Sequence, residues 1–350
     1  MRRAVTLPDS VSAALVSRAA VHIPTPRRGL SFLARKEQLR LALWVALILP
    51  LQPSLADDLT IEAISLPALR INGQPARAHT QGLEIESGKY YVTARRDDVV
   101  PRRALLLQTE SPRSDWDVWD ITPLDAGGDL TALDHPGGLQ SDGKRLWIPL
   151  AESRRKGRSL IRVFPISGMV AGQPLKAEFE FAVNDHIGAV AVSANDGLVF
   201  GASWDTETVY TWKFDGRLHQ TLDGRELQSR GLGVVNGANG RAGLAVQDWK
   251  VVGDWLFASG LLRGPKVLPE SPQSRLMSFA SFLEPGFQRR SVPLPKQNRT
   301  ELAREAMAIS DGQVYFLPSD LGASNRVYRL PLADLMKRSV PQESGASQTR

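Results

Sequence analysis

From Asp57 onward the apolar positions come in short runs and show little sustained helical spacing. The runs are rich in Val, Ile, Phe, Tyr and Trp and are punctuated by Gly and Pro, which predicts strands separated by turns. Three runs follow the same local phrase. His79-Thr-Gln-Gly-Leu leads through Gly88 to Tyr90-Tyr91-Val92, and His135-Pro-Gly-Gly-Leu leads through Gly143 to Leu146-Trp147-Ile148. His186-Ile-Gly-Ala-Val leads through Gly197 to Leu198-Val199-Phe200. The steps between the histidines are 56 and 51 positions, a period that marks a repeat architecture.

Two further segments fit this frame without a histidine. Gln247-Asp248-Trp249 leads to Gly253 and Trp255-Leu256-Phe257, and Arg304-Glu305-Ala306-Met307 leads to Gly312 and Val314-Tyr315-Phe316. A third strand follows each hairpin in at least four repeats, at Ala104-Leu-Leu-Leu, Leu160-Ile-Arg-Val-Phe, Val209-Tyr-Thr-Trp and Val327-Tyr-Arg-Leu. Fourth strands are weaker, Ala177-Glu-Phe-Glu-Phe-Ala being the clearest. Repeats of about four antiparallel strands describe an all-β fold, a single β-propeller of five blades. The strand Leu59-Thr-Ile-Glu-Ala-Ile-Ser, which has no partner in the frame, is expected to complete the last blade. Six blades follow instead if 97–134 or 216–240 holds a degenerate repeat, and a pair of β-sandwiches is the third option.

Charge changes the picture only at the N-terminus. The net charge is +6, yet residues 1–56 carry eight Lys/Arg against two Asp/Glu, which leaves the remainder with 35 of each sign. A nucleic-acid partner is therefore not expected. Arg35, Lys36 and Arg40 precede the apolar run 41–49, Pro50 ends it, and Ser54-Leu55-Ala56 offers a cleavage site. This pattern predicts a leader with a signal peptide over 1–56, cleaved after Ala56, and a periplasmic or secreted product. A run this short does not form a stable transmembrane span. The propeller is placed at 57–335, a disordered tail at 336–350, and the Gly-rich stretch from Gly231 to Gly240 is read as a flexible loop. The absence of cysteine excludes disulfides and thiolate sites.

Antiparallel pairing sets the start of each first strand beside the end of the second. His79, His135, His186, Gln247 and Glu305 stand at first-strand starts, and Arg95-Arg96, Glu152, Trp204-Asp205 and Asp320 at second-strand ends. Both sets should converge on one face around the axis. His79, His135, His186 and Glu305 are the candidate catalytic residues. Gln81, Arg95, Arg96, Glu152, Trp204, Asp205, Gln247 and Asp248 are candidate ligand contacts. Three readings stand side by side. The histidines pin the blades by bonding loop carbonyls; or His79, His135 and His186, with Glu305 or Asp248, ligate a divalent metal; or they act as acid or base while Arg95 or Arg96 clamps an anionic group.

The phrase Thr80-Gln81-Gly82-Leu83 before a Gly and an aromatic strand resembles the plant-type glutaminyl cyclotransferases, which are five-bladed propellers. Where those enzymes carry Asn-Glu-Leu-Glu, this chain has Arg304-Glu305-Ala306-Met307, keeping one Glu and losing the other. The stretch from His135-Pro-Gly-Gly-Leu to Leu146-Trp-Ile-Pro-Leu-Ala-Glu152 resembles a bacterial family of exported propellers with no assigned function, over most of 75–335. The expected function is binding of a small polar ligand in a His-lined central pocket, with metal-assisted hydrolase or lyase chemistry. The alternatives are a non-catalytic envelope scaffold that recognises a glycan or protein, and glutaminyl cyclisation. A monomer is expected.

Overall fold

The computed structural model describes residues 59–110, 114–123, 133–237, 240–263 and 273–342. The leader, the expected cleavage site and residues 343–350 lie outside the described residues. Within them the strands build five antiparallel sheets of four or more strands, and two further two-stranded ribbons. Blade 1 comprises His79–Glu86, Lys89–Arg96, Arg103–Thr109 and Asp117–Asp120. In blade 2 the inner edge is split into His135–Pro136 and Gln140–Ser141, followed by Arg145–Ala151, Ser159–Pro165 and Phe179–Val183. Blade 3 comprises Ile187–Ser193, Leu198–Ser203, Thr208–Lys213 and Leu218–Asp223. Blade 4 is built on Gly240–Val252, Trp255–Arg263, Ser274–Ala280 and Gln288–Pro293, and blade 5 on Ala306–Ser310, Gln313–Leu317 and Asn325–Pro331.

Blade 5 takes its outer strand from the other end of the chain. Glu62–Leu66 pairs with Asn325–Pro331, Ile64 opposite Val327. This is the closure predicted for Leu59–Ser65, and it joins the first described strand to the last blade. The spans that could have hidden a sixth blade are used otherwise. Residues 97–134 contribute the outer strands of blade 1, and 216–240 contribute an outer strand, the helix Gly224–Ser229 and the strand Val235–Gly237. The blade count is five.

Two expectations are corrected. Val235–Gly237 extends blade 4 by pairing with the start of Gly240–Val252, so this part of the Gly-rich stretch is a strand where a flexible loop was expected. Its glycines permit a close backbone crossing: a Cβ on Gly243, at φ +124°, would come within 1.9 Å of the Gly233 carbonyl oxygen. Part of the segment expected to be a disordered tail, 336–342, is ordered. Leu332–Arg338 is helical, and Val340–Gln342 adds an edge strand to Gln288–Pro293. Leu335 anchors this helix, fully buried in the core between blades 4 and 5.

The core follows from the alternation of side chains across each sheet. Five hydrophobic clusters separate five pairs of neighbouring blades. Trp147, Ile161, Val190 and Trp212 fill the space between blades 2 and 3, and Trp249, Phe279 and Phe282 pack between blades 3 and 4. Each blade thus buries both faces against its neighbours, and the ring has no free sheet face to cover.

Three of the five inner strands carry a β-bulge at the same point. The register skips Gln81 in blade 1, Gly188 in blade 3 and Gln247 in blade 4. Blade 2 breaks its inner strand there, at Gly137-Gly138-Leu139, and blade 5 begins there, immediately after Glu305. A bulge adds one residue and re-aims the side chains around it.

Candidate functional site

Just inside the bulges the ring is closed by charge. Asp248 is fully buried and accepts hydrogen bonds from three backbone N–H groups, Leu83 in blade 1 at 3.3 Å, its own neighbour Trp249 at 2.9 Å and Met307 in blade 5 at 3.0 Å. Lys250, also buried, donates to Asp248 at 2.7 Å, to the Leu139 carbonyl of blade 2 at 2.8 Å and to the Trp249 carbonyl at 3.2 Å. All three ammonium protons therefore have acceptors. Burial pushes the Asp248 carboxyl up to about 6 against the pull of Lys250. Gln140 accepts from the N–H groups of Val192 and Val251, each at 2.8 Å, and so ties blade 2 to blades 3 and 4. Glu84 has no hydrogen-bond partner on Oε2 and is pushed up to about 8 by burial. Asp248, expected to meet a ligand, instead tethers three blades. Its size dictates Gly138 opposite, where a Cβ would lie 2.4 Å from Oδ1.

Above this layer the predicted residues fall into three groups. At the seam between blades 5 and 1, His79 Nδ1 lies 2.6 Å from Asp320 Oδ1, and one ligand atom from each of His79, Glu305 and Asp320 lies within 4.8 Å of the others. This is the one such group among the described residues. Glu305 is buried, and burial holds its carboxyl up at about 7 despite His79 and the Arg304 guanidinium 3.2 Å away. The seam is stiff. Ala78 and Leu321 exchange both backbone hydrogen bonds, at 3.0 and 2.9 Å, and Thr80 Oγ1 donates to the Ser319 carbonyl at 2.9 Å. One imidazole and two carboxylates on a stiff frame suit a borderline divalent cation such as Zn²⁺, Mn²⁺ or Fe²⁺.

The second group joins blades 1 and 2. Arg95 Nη1 lies 2.8 Å from His135 Nδ1, and His135 Nε2 lies 3.0 Å from Gln81 Oε1. Arg95 grips Asp97 with Nε and Nη2, at 2.6 and 3.2 Å, and also donates to Ser153 Oγ at 3.1 Å. Burial, then the His186 and Arg95 charges, holds the His135 imidazole well below its usual range. The Arg95 guanidinium is thus engaged within the protein instead of clamping an anion. Arg96 is likewise held bidentately by Asp98, at 2.7 and 2.6 Å.

The third group is a structural corner of blades 2 and 3. His186 donates from Nδ1 to the Glu152 carbonyl at 2.7 Å and is buried, the carbonyl-pinning role that one reading gave all three histidines. Its ring meets His135 edge-on at 5.2 Å and Trp204 at 4.7 Å. Burial opposes ionisation of Glu152, but hydrogen bonds from Arg154 and Arg158 hold its carboxyl down at about 2. Asp205 and Glu207 pair with Arg155, whose guanidinium lies over Trp204. The three histidines therefore do not form one ligand set. His79 joins Glu305 and Asp320, and the other two sit side by side in a separate cluster. Gln247 is half-buried on its bulge in blade 4.

Sequence reasoning missed Lys250, Glu84 and Gln140, although a signal was present. Each is a polar residue two positions past the equivalent Asp248, Gly82 or Gly138, in an otherwise apolar inner strand. Ser153 and Asp134 in the second group carried no pattern of their own.

With this geometry in view, residues 121–266 match a family of unknown function (DUF6454). No curated protein matches the chain. Among solved structures, the catalytic domain of a Coprinopsis cinerea GH62 α-L-arabinofuranosidase is similar at 9% identity, over 78% of this chain and 98% of that one, with a TM-score of 0.46. A putative glycoside hydrolase from Parabacteroides distasonis is similar at 12% identity, over 75% and 88%, with a TM-score of 0.42. The WD40 repeats of RRP9 are similar at 11% identity, over 77% and 97%, with a TM-score of 0.39. No helix among the described residues is long and apolar enough to cross a membrane.

Proposed function

We propose that the chain is an exported hydrolase or lyase that acts on a small polar ligand at the axial face, with a divalent cation held by His79, Glu305 and Asp320. The observation that carries this reading is the meeting of those three side chains, from two blades, within 4.8 Å on the hydrogen-bonded seam. His79 and Glu305 keep the role expected of them. Asp320 takes the place that His135 and His186 were given. When bound, such a cation polarises a carbonyl or lowers the pKa of a bound water. The chain's own part is to hold the ligands still, through the Ala78–Leu321 and Thr80–Ser319 contacts. A monomer in the periplasm or the medium fits the leader pattern.

A metal-free reading uses the same residues. It is favoured by the 2.6 Å His79–Asp320 contact, in which Asp320 would orient the imidazole as a base beside Glu305. Calorimetry on the chelated protein with Zn²⁺ and Mn²⁺ separates the two. The metal reading expects one equivalent bound, with affinity at least tenfold lower in Glu305→Gln and in Asp320→Asn. Absence of binding by wild-type protein rejects it. Turnover of a panel of chromogenic esters and glycosides that survives EDTA supports the acid–base form. A scaffold role is left if no panel member turns over and the His79→Ala variant is indistinguishable from wild type in a phenotype assay. Incubation with an N-terminal Gln peptide tests glutaminyl cyclisation directly.

A further inference from the structure

We infer that Arg95 is a specificity-determining positioning residue: it sets the tautomer of His135, and through it turns the Gln81 amide so that its NH₂ group meets a hydrogen-bond acceptor oxygen of the ligand. The inference rests on the reading of this face as a ligand site and deepens it by naming the ligand chemistry at one point. One chain of hydrogen bonds runs outward from Arg95 through His135 to Gln81.

Guanidinium has only donors and stays protonated at any working pH. Arg95 Nη1 at 2.8 Å therefore makes His135 Nδ1 an acceptor, which is a neutral imidazole with its proton on Nε2. That proton faces Gln81 at 3.0 Å, so the Gln81 atom there must be the carbonyl oxygen. An amide with its oxygen fixed has its NH₂ fixed as well, on the opposite side. Gln81 makes no other side-chain hydrogen bond among the described residues. Its position is the bulge of blade 1, on the axial face with Gln247 on the equivalent bulge of blade 4.

Arg95 itself cannot turn. Four of its five N–H groups are engaged, by Asp97, His135 and Ser153. Ser153 passes its own proton to Asp134 Oδ1 at 3.1 Å, and Asp134 is paired with Arg102 at 2.9 Å. The groups whose charge bears on His135 are His186, packed on its edge, then Arg95, His79 and Arg102. Each favours the neutral ring. A donor pair at Gln81 selects a hydroxyl, carbonyl or carboxylate oxygen and rejects an ammonium or amide N–H at the same point, because two opposed donors leave both unpaired.

The test uses the metal-free full chain with ¹⁵N-labelled histidine and glutamine. Long-range ¹H–¹⁵N spectra should show His135 with its proton on Nε2, without protonation down to pH 5. In Arg95→Met, which keeps the stem and removes the donors, His135 should become a tautomer mixture that titrates at higher pH. Arg95→Lys should restore part of the wild-type pattern. Acetate, an acceptor-only probe, should shift the Gln81 side-chain NH₂ resonances, whereas methylammonium should not, and Arg95→Met should lose the acetate response. A proton on His135 Nδ1, an unchanged His135 in Arg95→Met, or a Gln81 response to methylammonium in place of acetate overturns the inference. Cation binding by His79, Glu305 and Asp320 should survive Arg95→Met. A wild type that responds to acetate but binds no metal would reject the metal reading alone.

Discussion

Two polar layers stacked on one axis behave in opposite ways. In the inner layer Asp248 and Lys250 are fully buried, and between them they make six hydrogen bonds to blades 1, 2, 4 and 5 and to each other. In the outer layer, a bulge away, His79, Glu305 and Asp320 converge, and Gln81 presents an amide that is only half engaged. Both layers are polar. What separates structure from function here is whether the hydrogen-bonding capacity is used up inside the protein. A buried polar group that is fully satisfied fixes the fold, whereas one with capacity left over on an accessible face can take a ligand.

Breaking the inner layer should have the largest effect. Asp248→Ala leaves the Lys250 ammonium buried without its counter-ion and frees three backbone N–H groups. The expected loss is about 3–5 kcal/mol, read by urea denaturation, and a change below about 1 kcal/mol would show that the pair does not hold the ring. Double replacement of Asp248 and Lys250 by apolar residues should cost less than Asp248→Ala alone, since no charge is stranded.

Glu84 sharpens the contrast through pH. Its carboxyl is raised from an ordinary 4.5 to about 8, so between those values the folded chain holds a proton that the unfolded chain has released. Stability should therefore fall as pH rises from about 5 to 8, by an amount on the order of a few kcal/mol. Glu84→Gln keeps the neutral shape and should flatten this slope. An unchanged slope would mean that Glu84 is ionised in the fold.

Gly138→Ala probes the steric side of the same layer. Its Cβ would meet Asp248 Oδ1 at 2.4 Å, and the strain should cost about 1–3 kcal/mol. Full stability of this variant would show that the carboxylate can move aside. The smallest stability effect is expected in the outer layer. Glu305→Gln removes a burial-penalised carboxyl and should leave the melting temperature unchanged or slightly raised at pH 8. It should nonetheless lower cation affinity at least tenfold. A clear drop in melting temperature would place Glu305 with the structural residues.

Much of the fold was legible because a repeat states the same local pattern several times over. The first three strands of each blade and the closing strand near Leu59 follow from runs and turns that recur at one spacing. Residues 340–342 were misjudged because a three-residue segment such as Val340–Gln342 pairs with an available sheet edge, and no local pattern announces that edge. The candidate residues, expected as one set, fall into three groups in the structure. Pairing register puts His79, His135, His186, Glu305 and Asp320 on the same side of the ring. Which of them touch depends on five blade-to-blade angles and three bulges, and no periodicity encodes those.

The sequence by itself therefore determined the all-β repeat and the blade count within one, because strand alternation and turn residues act over a few positions. Only the tertiary structure decided that Asp248 bonds to three blades, that Arg95 lies against His135, and that Asp320 lies beside His79 and Glu305. Those outcomes turn on which side chains, dozens to hundreds of positions apart, come within about 3–5 Å once the ring closes. At that range a single bulge determines whether a hydrogen bond is made inside the protein or left for a ligand.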